Sequence, residues 1–323
     1  MRLHQLLVIL MVAGALAACG SKPSGKSGST EPAAKSAPTG NATAAEVAEE
    51  ARGDLDCPAE IKTPAPPAGS PVVDIVGVRP GLTYEEAANV VACTNDLMVV
   101  SPPTTRGIDM QTYGKTIRQG FSAQFAEPRV EKTSKQILDE MQDAALARSS
   151  NRRTEDMPAG TSRWFVGTMG LPGKERVISA ARKERFAEGK NPTLESVEKA
   201  LVDKYGTPTS KQITSNSVSM RWAYDLQGRP ITETSPLANK CYGNSSPDGG
   251  ANFSPDCGVV VEAQANPLRS NPALAEWLQV GMVDEAGGYD AITKTEQGLQ
   301  QAENERRAEE TKEAAKNAEA PQL

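Results

Sequence analysis

The chain has 323 residues, a formal net charge of −6 and a hydrophobic fraction of 38%, with aromatic residues only 4% of the total. Its basic spots are short and interrupted, so it cannot neutralise a run of phosphates, and nucleic acid is excluded as a partner. The single histidine is His4. It falls in a removable leader, so Ser-His-Asp and Cys-His catalysis and imidazole metal sites are excluded from the rest of the chain.

Met1-Arg2 is followed by the apolar run Leu6 to Val12, small residues, and Leu16-Ala17-Ala18-Cys19-Gly20. A positive start, a short apolar middle and a small-residue cleavage site make a secretory signal over residues 1–18, too short to span a bilayer. The Leu-Ala-Ala-Cys ending resembles the lipobox of bacterial lipoproteins. The resemblance implies cleavage before Cys19 and a covalent lipid on its thiol and amine, with no other cofactor. Two or three acyl chains hold a protein firmly at a bilayer, where one gives only reversible attachment. By the same resemblance, Gly20 in place of Asp implies the periplasmic face of an outer membrane in a Gram-negative host.

From Cys19 to about Pro71 the chain is rich in Gly, Ser, Pro, Ala, Thr and Lys, which predicts a disordered tether, broken by one helical segment over Ala44–Ala51. Gly20 to Ser27 satisfies the G-x4-G-K-[ST] phosphate-loop pattern. It lacks the strand before and the helix after that would converge backbone N–H groups on a phosphate, and it reads as a chance match.

The folded region is expected over 72–287, with a possible division into subdomains near 72–150 and 160–287. Val72–Val78 reads as a strand. Thr83 and Glu86 form a capping box for a helix carrying Tyr84, Ala87, Ala88 and Val91 on one face. The strand, the Gly-Leu-Thr turn and this helix start resemble a segment of the small outer-membrane assembly lipoproteins of the SmpA/OmlA type. That resemblance covers about a dozen residues and implies local structure alone.

Leu97–Val100 reads as a short strand and Tyr113–Phe125 as a twisted one. Thr133 and Gln136 cap a second helix, with Ile137, Met141, Ala144 and Ala145 on one face. Arg163–Thr168 and Arg176–Arg182 are the arms of a hairpin. Asn191-Pro192-Thr193 opens a third helix with the stripe Leu194, Val197, Leu201, Tyr205, ended by Gly206. Val218–Tyr224, Gly258–Ala263 and Trp277–Val283 read as strands, with Asn271-Pro272 as an alternative helix start. Antiparallel strands framed by separate helices indicate an α+β fold. Residues 288–323, rich in Glu, Lys, Ala and Gln, form a charged helical or disordered tail.

Removing Cys19 leaves Cys57, Cys93, Cys241 and Cys257, an even number in an exported chain, which indicates disulfides. Of the three pairings, Cys57–Cys93 and Cys241–Cys257 are favoured by proximity in sequence. The second closes a polar loop that offers Asn244, Asp248, Asn252 and Asp256 as a preorganised recognition element. Oxygen ligands are present there, but the spacing is not that of an EF-hand, and no metal is assigned.

Ser196-Val197-Glu198-Lys199 matches the Ser-x-x-Lys motif of penicillin-recognising enzymes, but no Lys-[Ser/Thr]-Gly companion occurs and Val197 claims the inward face. Glu85-Glu86, Asp139-Glu140 and Asp284-Glu285 are adjacent pairs that read as surface charge. The expectation is a non-enzymatic, lipid-anchored protein that faces the periplasm and binds or scaffolds another envelope macromolecule, with a protein as the expected partner. Two alternatives are an immunity or inhibitor lipoprotein acting on an envelope-targeting toxin or hydrolase, and a histidine-independent envelope hydrolase.

Overall fold

Period-two alternation in eight segments of the chain produces one antiparallel sheet. In the computed structural model, residues 40–57, 63–103, 107–149, 157–214, 217–248 and 250–319 are described; Cys19 and the Gly20–Ser27 pattern lie outside them. The elements are α1 (Ala44–Arg52), α2 (Tyr84–Ala92), β1 (Met98–Ser101), β2 (Gly120–Phe125), α3 (Ser134–Ser149), β3 (Ser162–Met169), β4 (Arg176–Arg185), α4 (Leu194–Tyr205), β5 (Ser210–Ile213), β6 (Val218–Ala223), β7 (Val259–Leu268), β8 (Asn271–Asp284) and α5 (Glu285–Asn317). The strand order is β1-β2-β3-β4-β8-β7-β6-β5, and the fold is α+β.

That order is one unit used twice. A short helix followed by a four-strand meander occurs as α2 with β1–β4 and again as α4 with β5–β8, and the two meanders join along their last strands. The local anchors repeat as well. Thr83 caps α2 and bridges to Arg176, while the Val177 N–H donates to the Leu82 carbonyl at 2.8 Å. Thr193 caps α4 and bridges to Leu274, while the Ala275 N–H donates to the Pro192 carbonyl at 2.8 Å. In both units the next residue on the last strand, Ile178 or Glu276, is left out of the pairing register as a bulge. Counting on from Val177 and Ala275, Arg182 corresponds to Val280, and these two residues pair with each other. The seam is therefore a pseudo-two-fold axis.

The core lies between α2, α4 and one face of the sheet. Strand alternation sends Phe121, Trp164, Val166, Trp222, Val261 and Met282 to that face, each no more than 1% exposed. Trp222 packs against Tyr205 of α4 with ring centroids 5.2 Å apart, and its Nε1–H donates to the Gly206 carbonyl at 2.8 Å. In the first unit, Arg118 binds both Glu85 and the buried Glu175 and lies 4.4 Å from the Tyr84 ring centroid. Burial pushes the Glu175 carboxyl up, but its backbone and Arg118 hydrogen bonds outweigh this and hold it below its usual range.

Several expectations are corrected. The described part of the tether is folded from Gly40 onward: Ala48 of α1 is fully buried, Arg52 donates to the Asp96 carbonyl at 2.7 Å, and Cys57 bonds to Cys93 with a Cα–Cα distance of 5.3 Å. The helical segment expected over Ala44–Ala51 is present as α1 with its own capping box; averaged composition hides only that it docks on the folded region. Val72–Val78 is not a strand: Ile75–Val78 is a tight turn closed by its own bridge, because Val76 and Gly77 take φ of +48° and +84°, which no strand tolerates. Of Tyr113–Phe125 only Gly120–Phe125 is strand, since Tyr113 and Gly114 also sit at positive φ. Asn271-Pro272 opens β8 rather than a helix. Among the described residues no helix is long and apolar enough to cross a membrane.

Candidate functional site

The sheet's second face carries the alternate residues; Ala223 and Val260 bury there with Cys241 and Cys257 in a small apolar cluster, and beyond it the face is polar. On β5 to β8 it presents Ser210 and Gln212, Ser219 and Arg221, Glu262 and Gln264, and Gln279 and Gly281, which stand opposite one another in register. Period two forces this: the neighbours Met220, Trp222, Val261 and Ala263 are committed to the core.

The loop between β6 and β7 crosses this face. Cys241 and Cys257, both fully buried, join at its root with Cα atoms 5.6 Å apart. Tyr242 lies over Arg221, with the guanidinium carbon 3.7 Å from the ring centroid. The Asn244 N–H donates to Glu262 Oε2 at 2.7 Å, the Ser245 hydroxyl donates to the Ala180 carbonyl at 3.1 Å, and Asp248 pairs with Arg163 at 2.5 Å. The loop thus steps over β6, β7, the β8–β4 seam and β3 in turn.

Two glycines permit the close approach. A Cβ on Gly281 would stand 2.6 Å from the Ser245 carbonyl oxygen, and one on Gly288 would stand 2.3 Å from the Phe253 ring that pins the loop to α5.

Between loop and sheet is an open groove of about 390 Å³. Its floor is the row Gln212, Ser219, Gln264 and Gln279; its wall is Tyr242 to Ser246. Arg221, 7% exposed, donates from Nη2 to the Ala238 carbonyl at 2.6 Å. Burial raises the Glu262 carboxyl, against the Asn244 N–H, the Arg221 charge and the Gly243 N–H, which lower it. Behind it Glu285 is 1% exposed, and its Oε1 has no partner among the described residues. Burial pushes Glu285 up to about 7, with Glu262 adding to the shift and Arg221 opposing it. Asp284 is raised by burial against the Gly287 N–H it accepts as helix cap.

Asn244 lines the groove, and Asp248 anchors the loop through Arg163. Asn252 serves the loop itself, its amide donating to the Tyr242 carbonyl at 3.1 Å, whereas Asp256 is exposed and bonds through its backbone N–H, to the Ser254 hydroxyl at 3.2 Å. The structure therefore divides the four candidates into one lining residue (Asn244), one anchor (Asp248), one that shapes the loop (Asn252) and one exposed residue (Asp256). Ser196 donates to the Thr193 carbonyl and Lys199 pairs with Asp203 on the exposed face of α4. Asp284-Glu285 is not the surface pair its adjacency suggests, because the β8-to-α5 junction turns inward beneath the loop. Among the described residues no group of three or more His, Cys, Asp or Glu side chains stands together as a metal site.

The floor row was not visible from the sequence, because β5 carries no apolar run to mark it. The alternation Ser219-Met220-Arg221-Trp222 was the available signal.

Fold and site together define a two-unit α+β protein with a disulfide-stapled loop over a polar sheet face. Compared with protein-family models, curated proteins and solved structures, the chain matches none of them.

Proposed function

We propose that this protein is a lipid-anchored, periplasm-facing, non-enzymatic binding protein that engages another macromolecule of the cell envelope through the groove and its stapled loop. The observation that carries the reading is the loop itself. It is fixed by a disulfide, by Asp248 on Arg163 and by the Asn244 N–H on Glu262, so its wall residues are ordered before any ligand arrives. A preordered wall lowers the entropic cost of binding. Glu262 is the sole carboxylate among the described residues lining the groove, which favours binding over the paired-carboxylate hydrolysis of the enzyme alternative. The Leu-Ala-Ala-Cys signal supplies the anchor.

The test is photocrosslinking in intact cells from a reactive residue at Asn244, with one at Glu140 on α3 as control. An adduct specific to Asn244, lost when Cys241 and Cys257 are both serine, supports the reading. Equal adducts from both positions, or none from Asn244, would remove it. Retention of the Cys19→Ser chain in the membrane fraction would remove the anchor.

A further inference from the structure

We propose that the groove is a glycan site that holds the terminal segment of a neutral oligosaccharide; this deepens the binding reading above and rests on it. Gln212, Ser219, Gln264 and Gln279 face one another on four successive strands. Strands lie about 4.8 Å apart, so this row runs straight across the sheet for roughly 14 Å. The side chains of Gln212, Ser219 and Gln264 make no hydrogen bond with any described residue. Gln279 makes one long contact, from Nε2 to the Ser245 carbonyl at 3.5 Å.

Each free amide offers a donor and an acceptor side by side. That pair matches two neighbouring sugar hydroxyls, each of which can donate and accept. Ser210 adds a further hydroxyl beside Gln212.

The wall supplies the complementary surface. Tyr242 lines the groove, 39% exposed, with the Arg221 guanidinium stacked 3.7 Å from its ring centroid. An aromatic ring with one polar tip suits a sugar, whose ring carries C–H groups on its face and hydroxyls at its rim.

Charge narrows the class further. Arg221 and Glu262 are the charged groups among the described lining residues, and they offset each other. An anionic ligand needs cations that are not already opposed. An extended peptide added to an edge gains specificity from pockets for alternate side chains, and the exposed floor is amide and hydroxyl instead. Small-molecule pockets are lined mainly by apolar groups, which this groove does not offer.

Shape gives the polarity of entry. The loop runs parallel to the floor row, one register step away, and descends onto it where Asp248 meets Arg163. Arg163 belongs to the same row, through Lys183 and Gln279. The groove therefore closes towards β3. At the opposite end lies β5, the sheet's edge, so a longer chain can leave past Gln212. This arrangement takes a chain end rather than a chain interior.

The experiment is NMR titration of the full chain, labelled at Gln and Asn side-chain amides, with chitotetraose and with cellotetraose. The expected result is a saturable shift of the Gln212, Gln264 and Asn244 amides with at least one of the two sugars. Gln264→Ala and Gln212→Ala should each weaken it roughly tenfold, the effect of one lost hydrogen-bonding partner, and both positions are exposed enough to change without unfolding the sheet. Tyr242→Ala should weaken it by a similar factor.

No shift with either sugar, or binding unchanged in the Gln264 and Gln212 variants, overturns the proposal. Shifts confined to the Lys211–Ile213 backbone on adding an extended peptide also overturn it, in favour of edge addition. A protein adduct from Asn244 in cells without any sugar shift keeps the binding reading and removes the glycan. Absence of both removes both.

Discussion

The connection from β2 to β3 and the connection from β6 to β7 occupy the same slot in the two units, and the chain fills them in opposite ways. In the first unit the slot holds α3. Every described side chain of that helix is exposed, including Ile137, Leu138, Met141 and Leu146 at 48–66%. In the second unit the slot holds the loop from Cys241 to Cys257, which folds back onto the sheet and forms one wall of the groove. The scaffold beneath is shared down to the bulges at Ile178 and Glu276. The comparison teaches that the unit specifies where an insertion goes and leaves what it does to the insertion's own chemistry. Fixing an insertion on a sheet takes covalent closure, a charge anchor and glycines that admit it; apolar periodicity alone forms a helix without docking it.

Breaking the staple gives the largest expected effect. Replacing Cys241 and Cys257 by serine should cost about 3 kcal/mol, the chain-entropy figure for a loop of this size. Urea denaturation should show it, and hydrogen exchange should show Gly243 to Asp256 losing protection first. If stability and protection both hold, the two slots do not differ for the reason given.

Beneath the loop, Glu285 should give a pH-dependent effect of roughly 1–3 kcal/mol. Its carboxyl, pushed up to about 7, stands above its unfolded value of 4.5. The folded state therefore holds more protons between those limits. Stability from this group is full below about 4.5 and falls as pH rises to about 7. Glu285→Gln should raise the melting temperature at pH 8 by several degrees, with little change at pH 4. Equal change at both pH values would show packing rather than ionisation at work.

The Asp248–Arg163 anchor is half open to solvent on the aspartate side. Asp248→Asn should cost about 0.5–1 kcal/mol, yet it should raise loop exchange rates clearly while leaving the sheet unaffected. The smallest effect belongs to the first slot. Changing Ile137 and Met141 to serine should alter the urea midpoint by less than the equivalent of about 0.5 kcal/mol, as for surface substitutions elsewhere. A loss of 2 kcal/mol would show that α3 is docked after all.

Much of the fold was legible because its signals are local. Thr83 with Glu86 announces a helix start through the hydrogen bonds of their own side chains, whereas Pro192, expected in the first turn of α4, stands before the cap Thr193. The Arg163–Arg182 hairpin announces itself by alternation around a Leu-Pro-Gly turn. The sequence raises a distant duplication, since each half sets a helix among strands, but residue identity between the two is negligible. The shared features are backbone hydrogen bonds from Val177 and Ala275 to the residues before each cap, and those constrain geometry while leaving side chains free to diverge. Strand β5 was missed for a related reason: as an edge strand with one open face, Ser210-Lys211-Gln212-Ile213 has no need of an apolar run.

Sequence alone determined the capped start of α2, the polar loop between Cys241 and Cys257, and the expectation of a lipid anchor, because each rests on residues within one short stretch. Tertiary structure alone decided that Gln212, Ser219, Gln264 and Gln279 form a row, that Tyr242 stands beside it over Arg221, and that Glu285 is buried. Each of those depends on which strands become neighbours. The pairing of β4 with β8, and of β6 with β7 across the stapled loop, is set by the packing of the whole core rather than by any local run of residues.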